Sequence, residues 1–511
     1  MKRIIVYILI FIFLCVFLRL VSGPLRDVSD DAFISFRYAR HLAEGKGLVF
    51  NEGERVEGYT NFLWVVLMAA GYKAGFDIAP FSQFLSLICA ALLVLAVGLF
   101  SKSFFADSRF RYASYIGPAL LALNPLFWEH IGTGLETLLF VLLLFLSLVT
   151  YLNHGRKSGL PYFTGVLLGL AYLTRPEAAL WAFSYVVIDV IDAALDRRDL
   201  FGRAKTVAAY ACVFAVIAGM HFAWRFGYYG DWLPNTYYVK GASNWTWGKI
   251  HLREFLRSAG FLPLIGVAGG LFVLRKKWAV CMSVLISLLL FHNLRIGGDI
   301  ILTGRFLYPT LPLVYLLIQE LVRLALVAGP GAQKPSFRRV ALAWCFPALV
   351  VVLFASGAIR EWRVAREESA TSRSANSFAR SYAICIKEHT RPDDAIAVVS
   401  AGILPYYSER PAIDMLGLND RHIARNGIFD RSCFIGHQKT DTDYILDRAP
   451  KVIVLPPRHP FQELVAAEKY MRKNPRLDEL YKLTDLNCGN LDIQVYMRRA
   501  QPLLTPHGDT D

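Results

Sequence analysis

The sequence is poor in charge. Only 19% of its 511 residues are Asp, Glu, Lys or Arg, against 55% hydrophobic and 14% aromatic. With a mean hydropathy of +0.38, this balance excludes an ordinary soluble globule of such length. Metal-type cysteine spacing is also lacking: the 8 cysteines form no CxxC pair and no Cys/His pattern that would hold zinc. Cys15, Cys89, Cys212, Cys281 and Cys345 lie in apolar runs and read as small core residues. Cys385, Cys433 and Cys488 fall in a polar tail, where one disulfide is open and its pairing unreadable. No internal repeat is found, which weakens a transporter built from inverted halves. The net charge of +14 does not indicate a nucleic-acid partner, because the basic residues sit mostly in short loops between apolar runs.

Those runs are what the sequence has in abundance. Stretches of about 17 to 25 apolar residues read as membrane-spanning helices. Candidate spans are 4–22, 82–101, 112–127, 135–152, 160–175, 178–194, 205–225, 257–274, 278–293, 306–325 and 340–357. No small-residue cleavage site precedes Gly23-Pro24, so the first run reads as an uncleaved anchor. The segment 61–78 is apolar but interrupted by Lys73 and Asp77. Treated as non-spanning, it leaves every loop cluster of Lys and Arg on one side, including Arg203, Lys277 and Arg339. The expected architecture is therefore a polytopic α-helical membrane protein of about eleven spans. Residues 1–359 would form the membrane domain, with a long first outer loop over 22–81, and 360–511 an outer soluble α/β domain. In the tail, "AIAVVS" and "KVIVLPP" read as buried strands and "PFQELVAAEKYMRKN" as an amphipathic helix.

The outer face collects the polar residues. Residues 32–44 place Ala32, Phe36, Ala39, Leu42 and Ala43 on one helical side and Arg37, Arg40, His41 and Glu44 on the other. That pattern predicts a helix lying on the membrane, capped by Ser29 or Asp30. The adjacent acids Asp30 and Asp31 thus have a capping reading, which leaves one carboxylate available for chemistry. Asp299 and Arg305 flank a Gly-rich turn in "RIGGDIILTGRFLYP", where an arginine suits bidentate phosphate binding or an interfacial ion pair. "LTRPEA" holds Arg175 and Glu177 in a very short outer loop. Glu136 opens a span and reads as a helix-terminal charge. Lys240 stands among Trp232, Tyr237, Tyr238, Trp245 and Trp247, an aromatic belt that also suits sugar stacking.

Taken together, "DDAFISFRYARHLAEGKGLVFNEGERVEGYTNFLW", "GGDIILTGRFLYP" and "ILPYYSERPAIDMLGLNDRHIAR" resemble motifs of the GT-C glycosyltransferases. More narrowly, they are similar to the terminal arabinofuranosyltransferases of the mycobacterial cell wall and their bacterial relatives. Thr303 departs from the His expected in mycobacterial members. The resemblance implies a multi-pass enzyme of the bacterial inner membrane with an extracytoplasmic active site. Its donor would be a polyprenyl-phosphate-linked sugar and its acceptor an envelope polysaccharide. Asp30 would act as general base or as ligand to a divalent cation (Mg, Mn or Ca), with Asp31 in support and Asp299 across the cleft as a second metal ligand. Arg305, Arg175 and Lys240 would meet the donor phosphate, and Glu57 and Tyr59 would belong to the substrate-binding first loop. No organic cofactor is implied.

The nearest alternative is the same fold using another sugar or acceptor, such as a protein, lipid or O-antigen, and two readings from other classes stand beside it. A flippase for lipid-linked sugars would need mid-membrane charges, and the spans carry few. In a non-catalytic envelope scaffold the outer tail would be the working part.

Overall fold

The computed structural model describes residues 27–104, 111–156, 159–195, 199–240, 244–274, 276–298, 304–328, 337–434, 436–456, 462–489 and 491–499. The run 4–22, Asp299 and Thr303 lie outside the described residues. The chain divides into two compact units. The first comprises Met1–Gly45, Tyr59–Trp232 and Ala242–Ala375, and the second Lys46–Gly58, Leu233–Gly241 and Asn376–Asp511.

The first unit is helical. Its early elements are α1 (Asp30–Ala43), α2 (Phe62–Lys73), α3 (Ile78–Phe104), α4 (Ile116–Leu123), α5 (Pro125–Gly132) and α6 (Thr137–Leu152). Then come α7 (Leu160–Thr174), α8 (Ala178–Leu195) and α9 (Leu200–Tyr229). After α10 (Asn235–Lys240), which belongs to the second unit, follow α11 (Trp245–Ser258), α12 (Leu262–Ala268), α13 (Lys277–Ile296), α14 (Leu311–Ala328) and α15 (Phe337–Glu388). Among the described residues six helices are long and apolar enough to cross a membrane, lying within α3, α8, α9, α13, α14 with the 3₁₀ turn before it, and α15.

The expected span 257–274 is instead the second arm of a bent pair. Asn244 caps α11, and an 89° break follows at Ala259–Phe261, where Gly260 and Phe261 both take positive φ. The expected span 112–127 is likewise divided, because Asn124 ends α4 and caps α5, which begins on Pro125. Helices α6 and α7 have 16 and 15 residues, about 24 Å and 22 Å at ~1.5 Å per residue. The apolar helix α2 has 12 residues, roughly 18 Å, well short of a ~30 Å hydrocarbon core.

Helix α1 departs from its expected setting. Ala32 through Ala39 are buried without interruption, and His41 is buried as well. Arg37 is only 3% exposed, so part of the face expected to meet water is packed, while Arg40 is half-buried and Glu44 exposed. The 3.6-residue pattern identifies the helix but not what covers its polar side.

The second unit carries a five-stranded sheet, built from β1 (Ile396–Val398), β2 (Ala412–Asp414), β5 (Val452–Val454), β6 (Tyr481–Cys488) and β7 (Leu491–Arg498), in the order β2-β1-β5-β7-β6. A separate pair is formed by β3 (Ile428–Phe429) and β4 (Lys439–Thr440). β1 runs parallel to both β2 and β5, with Ile396 opposite Ala412 and Val452. These three strands are buried throughout, as expected of apolar runs in a parallel sheet. The hairpin β6–β7 continues the sheet antiparallel to β5. The expected helix over "PFQELVAAEKYMRKN" is shorter, a 3₁₀ turn at Gln462–Leu464 followed by Ala466–Met471.

Two early segments are tied into this unit by amides. Asn51 exchanges two 2.9 Å hydrogen bonds with the backbone of Ala412, extending the edge of β2. Asn235 donates to Gly417 O at 2.7 Å, and its own N–H donates to Glu57 O at 2.9 Å. Gly58 closes the first segment: a Cβ there would fall 1.9 Å from Asn419 Oδ1. A disulfide joins Cys385, near the end of α15, to Cys488 at the end of β6, while Cys433 is a buried free thiol.

Candidate active site

Asp30 is the first residue of α1 and Asp31 the second. Ser29 occupies the N-cap, one of the two positions expected for it, but makes no side-chain capping bond. The Ser29 N–H instead donates to Thr133 O at 3.0 Å, which fixes the entry to the helix. Asp30 is half-buried and Asp31 exposed. Both sit where the unpaired N–H groups of a first helical turn favour negative charge.

From Asp31 a chain of polar contacts runs through the first unit and returns to the same helix. Arg305 Nη2 donates to Asp31 Oδ2 at 3.3 Å. The Arg305 guanidinium lies 5.5 Å from the Phe306 ring centre, and that of Arg175 lies 4.6 Å from the same ring. Arg175 donates to Glu136 Oε1 at 3.0 Å and to Glu177 Oε1 at 3.2 Å. Glu136 Oε2 accepts from Asn61 Nδ2 at 2.8 Å, and Asn61 is hydrogen-bonded to Ser35 Oγ. Ser35 stands four residues after Asp31, on the same side of α1.

The circuit is mostly buried: the Arg175 and Glu136 side chains are 10% and 8% exposed. Two guanidiniums against one ring repel each other, and the flanking carboxylates offset that repulsion. For Glu177, burial works to raise the carboxyl pKa, but the Arg175 guanidinium outweighs it and holds the group below the ordinary carboxylate range. Glu177 Oε2 has no hydrogen-bond partner among the described residues.

Of the residues expected to form a site, the structure brings Asp31, Arg305 and Arg175 into one circuit, with Asp30 adjacent. Tyr59 lies in the same unit, its hydroxyl 3.1 Å from that of Tyr229 and its ring edge-on to Tyr38 at 4.9 Å. Glu57 and Lys240 belong to the second unit, where Glu57 is buried and Lys240 is exposed at the end of α10. Sequence reasoning missed Asn61, Ser35 and Phe306, and it took Glu136 for a helix-terminal charge. Glu136 does stand at the N-cap of α6, but it makes no side-chain cap bond and is spent on Arg175 and Asn61. The available signal was that an acid entering so apolar a run needs a buried partner, and "LTRPEA" supplied one.

A divalent cation would need converging oxygens. Among the described residues the only His/Cys/Asp/Glu cluster of that kind is Cys385, His389 and Cys488, in the second unit, and two of its members form the disulfide. At the head of α1 Asp31 meets the Arg305 guanidinium, and Asp299, the second metal ligand implied by the resemblance, lies outside the described residues. No step below is routed through a metal.

Residues 362–496 match the family described as "Domain of unknown function (DUF8728)". The chain is 30% identical over 262 residues to the terminal beta-(1->2)-arabinofuranosyltransferase of Mycobacterium tuberculosis, covering 48% of this chain and 40% of that protein. It is 27% identical over 341 residues to the enzyme of the same name from Corynebacterium glutamicum, covering 57% and 47%. The chain thus spans less than half the length of these relatives. In three dimensions it is similar to ArnT from Cupriavidus metallidurans, solved with bound undecaprenyl phosphate, at a TM-score of 0.61 and 13% identity over 97% of this chain and 98% of that one. The chain therefore shares the fold of ArnT, with helices long and apolar enough to cross a membrane and a strand-containing C-terminal unit, and its sequence resembles the terminal arabinofuranosyltransferases.

Proposed function

We propose that the protein is a glycosyltransferase that moves a sugar from a polyprenyl-phosphate donor to an envelope glycan on the outer face of the bacterial inner membrane. The observation that carries this reading is the circuit linking the acid-bearing start of α1 to two guanidiniums at Phe306. It sets a carboxylate beside a cation pair, which is what transfer from a phosphate leaving group requires. Arabinofuranose is the sugar favoured by the names of the curated relatives.

In this mechanism Asp30 is the base. It takes the proton from the acceptor hydroxyl as that oxygen bonds to the anomeric carbon. The bond from that carbon to the phosphate oxygen breaks, and polyprenyl phosphate leaves with the electron pair. Arg305 and Arg175 meet the charge that gathers on the phosphate, Arg305 held towards α1 by Asp31 and Arg175 held by Glu136 and Glu177. Asp31 is committed to Arg305 and acts as the positioning residue, and Asp30 takes the base role that the first-loop resemblance implies.

The same reading assigns eleven crossings. They are the six full-length helices, the bent pair, the divided stretch made of α4 and α5, the shorter helices α6 and α7, and the N-terminal run 4–22. The basic loops then face inward, and the tail, with its disulfide, faces the oxidising side. Incubating the purified protein with a panel of polyprenyl-phosphate sugars and scoring released polyprenyl phosphate tests the activity. Movement of lipid-linked sugar between liposome leaflets, with no sugar consumed, would instead identify a flippase.

A further inference from the structure

A polar cavity of about 660 Å³ lies in the first unit and plays no part in the proposed chemistry. Its walls include Tyr151, Asp189, Asp192, Asp199, Arg203 and Lys277. The helices that carry it fix its depth. Glu136 precedes α6 and Tyr151 stands near its far end, about 22 Å away at ~1.5 Å per residue. Glu177 precedes α8 and Asp189 lies well down it, while α13 begins at Lys277 and finishes at Ile296. The cavity is thus at the opposite end of these helices from the Arg175 circuit, at headgroup depth if the helices cross a bilayer.

Its polar groups are organised. The hydroxyls of Tyr151 and Tyr210 each donate to a different oxygen of Asp189 at 2.9 Å, and Tyr151 stacks on Tyr185 at 4.1 Å. Asp192 Oδ2 receives Lys277 Nζ at 2.7 Å and Arg203 Nη1 at 3.2 Å. The Lys277, Asp192 and Arg203 side chains keep 54%, 39% and 28% of their surface exposed, so the charged edge is open to a ligand. Asp199, at the rim, is exposed and uses one carboxylate oxygen to cap α9.

Three carboxylates and two cations around one cavity select against simple ions. An anionic headgroup such as phosphatidylglycerol brings its phosphate to Arg203 and Lys277 but has nothing for Asp192 and Asp199. A bare cation meets the two basic groups. A zwitterion with an ammonium a few bonds from a phosphodiester satisfies both signs. A primary ammonium donates hydrogen bonds to carboxylates, whereas a trimethylammonium has none to give. We propose that this cavity binds the headgroup of an ethanolamine phospholipid from the leaflet opposite the reaction site, ammonium on Asp192 and Asp199, phosphodiester on Lys277 and Arg203. Nothing in this site depends on the sugar-transfer reading.

The test is lipid retention. The full-length protein is reconstituted in vesicles containing equal parts phosphatidylethanolamine, phosphatidylcholine and phosphatidylglycerol, extracted, and examined by native mass spectrometry. The wild type is expected to retain phosphatidylethanolamine over either other lipid by about fivefold or more, near the upper range for one exposed ion pair. The double variant Asp192→Asn/Asp199→Asn is expected to bring that ratio to about one, and Asn preserves the α9 cap. No preference in the wild type overturns the proposal, as does an unchanged preference in a monodisperse variant. Should the double variant aggregate, Lys277→Gln serves in its place: the same loss of retention supports the site, and wild-type retention overturns it.

Discussion

Arg305 and Asp31 meet at 3.3 Å across 274 residues of chain, tying the segment before α14 to the head of α1. With the Asp31 side chain 48% exposed, the pair contributes little to folding, about 1 kcal/mol or less. Its value lies in where it holds the guanidinium.

Asp30→Asn is therefore expected to reduce release of polyprenyl phosphate by roughly 10²-fold or more, the span of general-base contributions. Asp31→Asn, which loosens Arg305 without removing it, should cost less than about tenfold, while Arg305→Ala should cost about 10²- to 10³-fold. All three variants should insert and unfold like the wild type. Equal losses from the two Asp variants would remove the proposed division between base and positioning residue.

The Arg175–Glu136 contact is of the opposite kind, buried on both sides and shared with Asn61. Glu136→Ala leaves a buried guanidinium short of one carboxylate and an amide short of its acceptor. The expected loss is about 3–5 kcal/mol, seen as a lower thermal midpoint in detergent. The double variant Glu136→Leu/Arg175→Met should recover part of that stability, because no buried charge is left unmatched between them, yet remain inactive. Arg175→Lys should not rescue activity, since one ammonium cannot reproduce the two-pronged contact with Glu136 and Glu177.

Asp414, at the end of β2, gives the second unit a pH response. Burial pushes its carboxyl up to about 6, although Leu416 N–H and Asn419 donate to it. A folded-state pKa above the ordinary value of 3.8 means that the native state binds the proton more tightly. The resulting stabilisation is full below about pH 4 and fades as pH rises through about 6, a change on the order of 3 kcal/mol. Hydrogen exchange of the β1 and β2 amides in the intact protein, corrected for intrinsic rates, should show more protection at pH 4.5 than at pH 7, two settings chosen to bracket roughly that window. Asp414→Asn should be less stable at every pH, since its amide faces donors, and should lose the dependence.

How far these features can be read from sequence varies with the kind of information each needs. The 32–44 pattern marks α1, and the apolar runs "AIAV" and "VIV" mark β1 and β5. Periodicity carries no record of neighbours, so Arg37 and His41 read as a wet face although both are buried. Hydropathy finds the stretch 257–274 but not its break, because Gly260 and Phe261 signal a bend only through their positive φ. Asp31 and Arg305 are recognisable singly from charge beside Gly-rich or helix-start segments. Their pairing, and the link through Phe306 to Glu136 and Asn61, needs the fold to bring positions 31, 61, 136, 175 and 305 together.

The cysteines give the last prediction. Cys385 and Cys488 are bonded, closing a separation of 103 residues, and the crosslink fastens the C-terminal part of α15 to the edge hairpin of the sheet. Removing a bridge over so long a loop typically costs about 2–5 kcal/mol. Cys488→Ser, or reduction of the wild type, should therefore increase proteolysis within 396–498 while leaving the first unit's helices intact. Cys433 serves as the internal control. Burial pushes its thiol up to about 11, with the Asp430 carboxylate adding to the shift, so it resists alkylation at neutral pH. Peptide mapping after iodoacetamide treatment should find Cys385 and Cys488 labelled only after reduction, with Cys433 slow in both cases. Labelling of Cys385 without reductant would mean that the bridge is not formed in the isolated protein, and the pairing would then have to be abandoned.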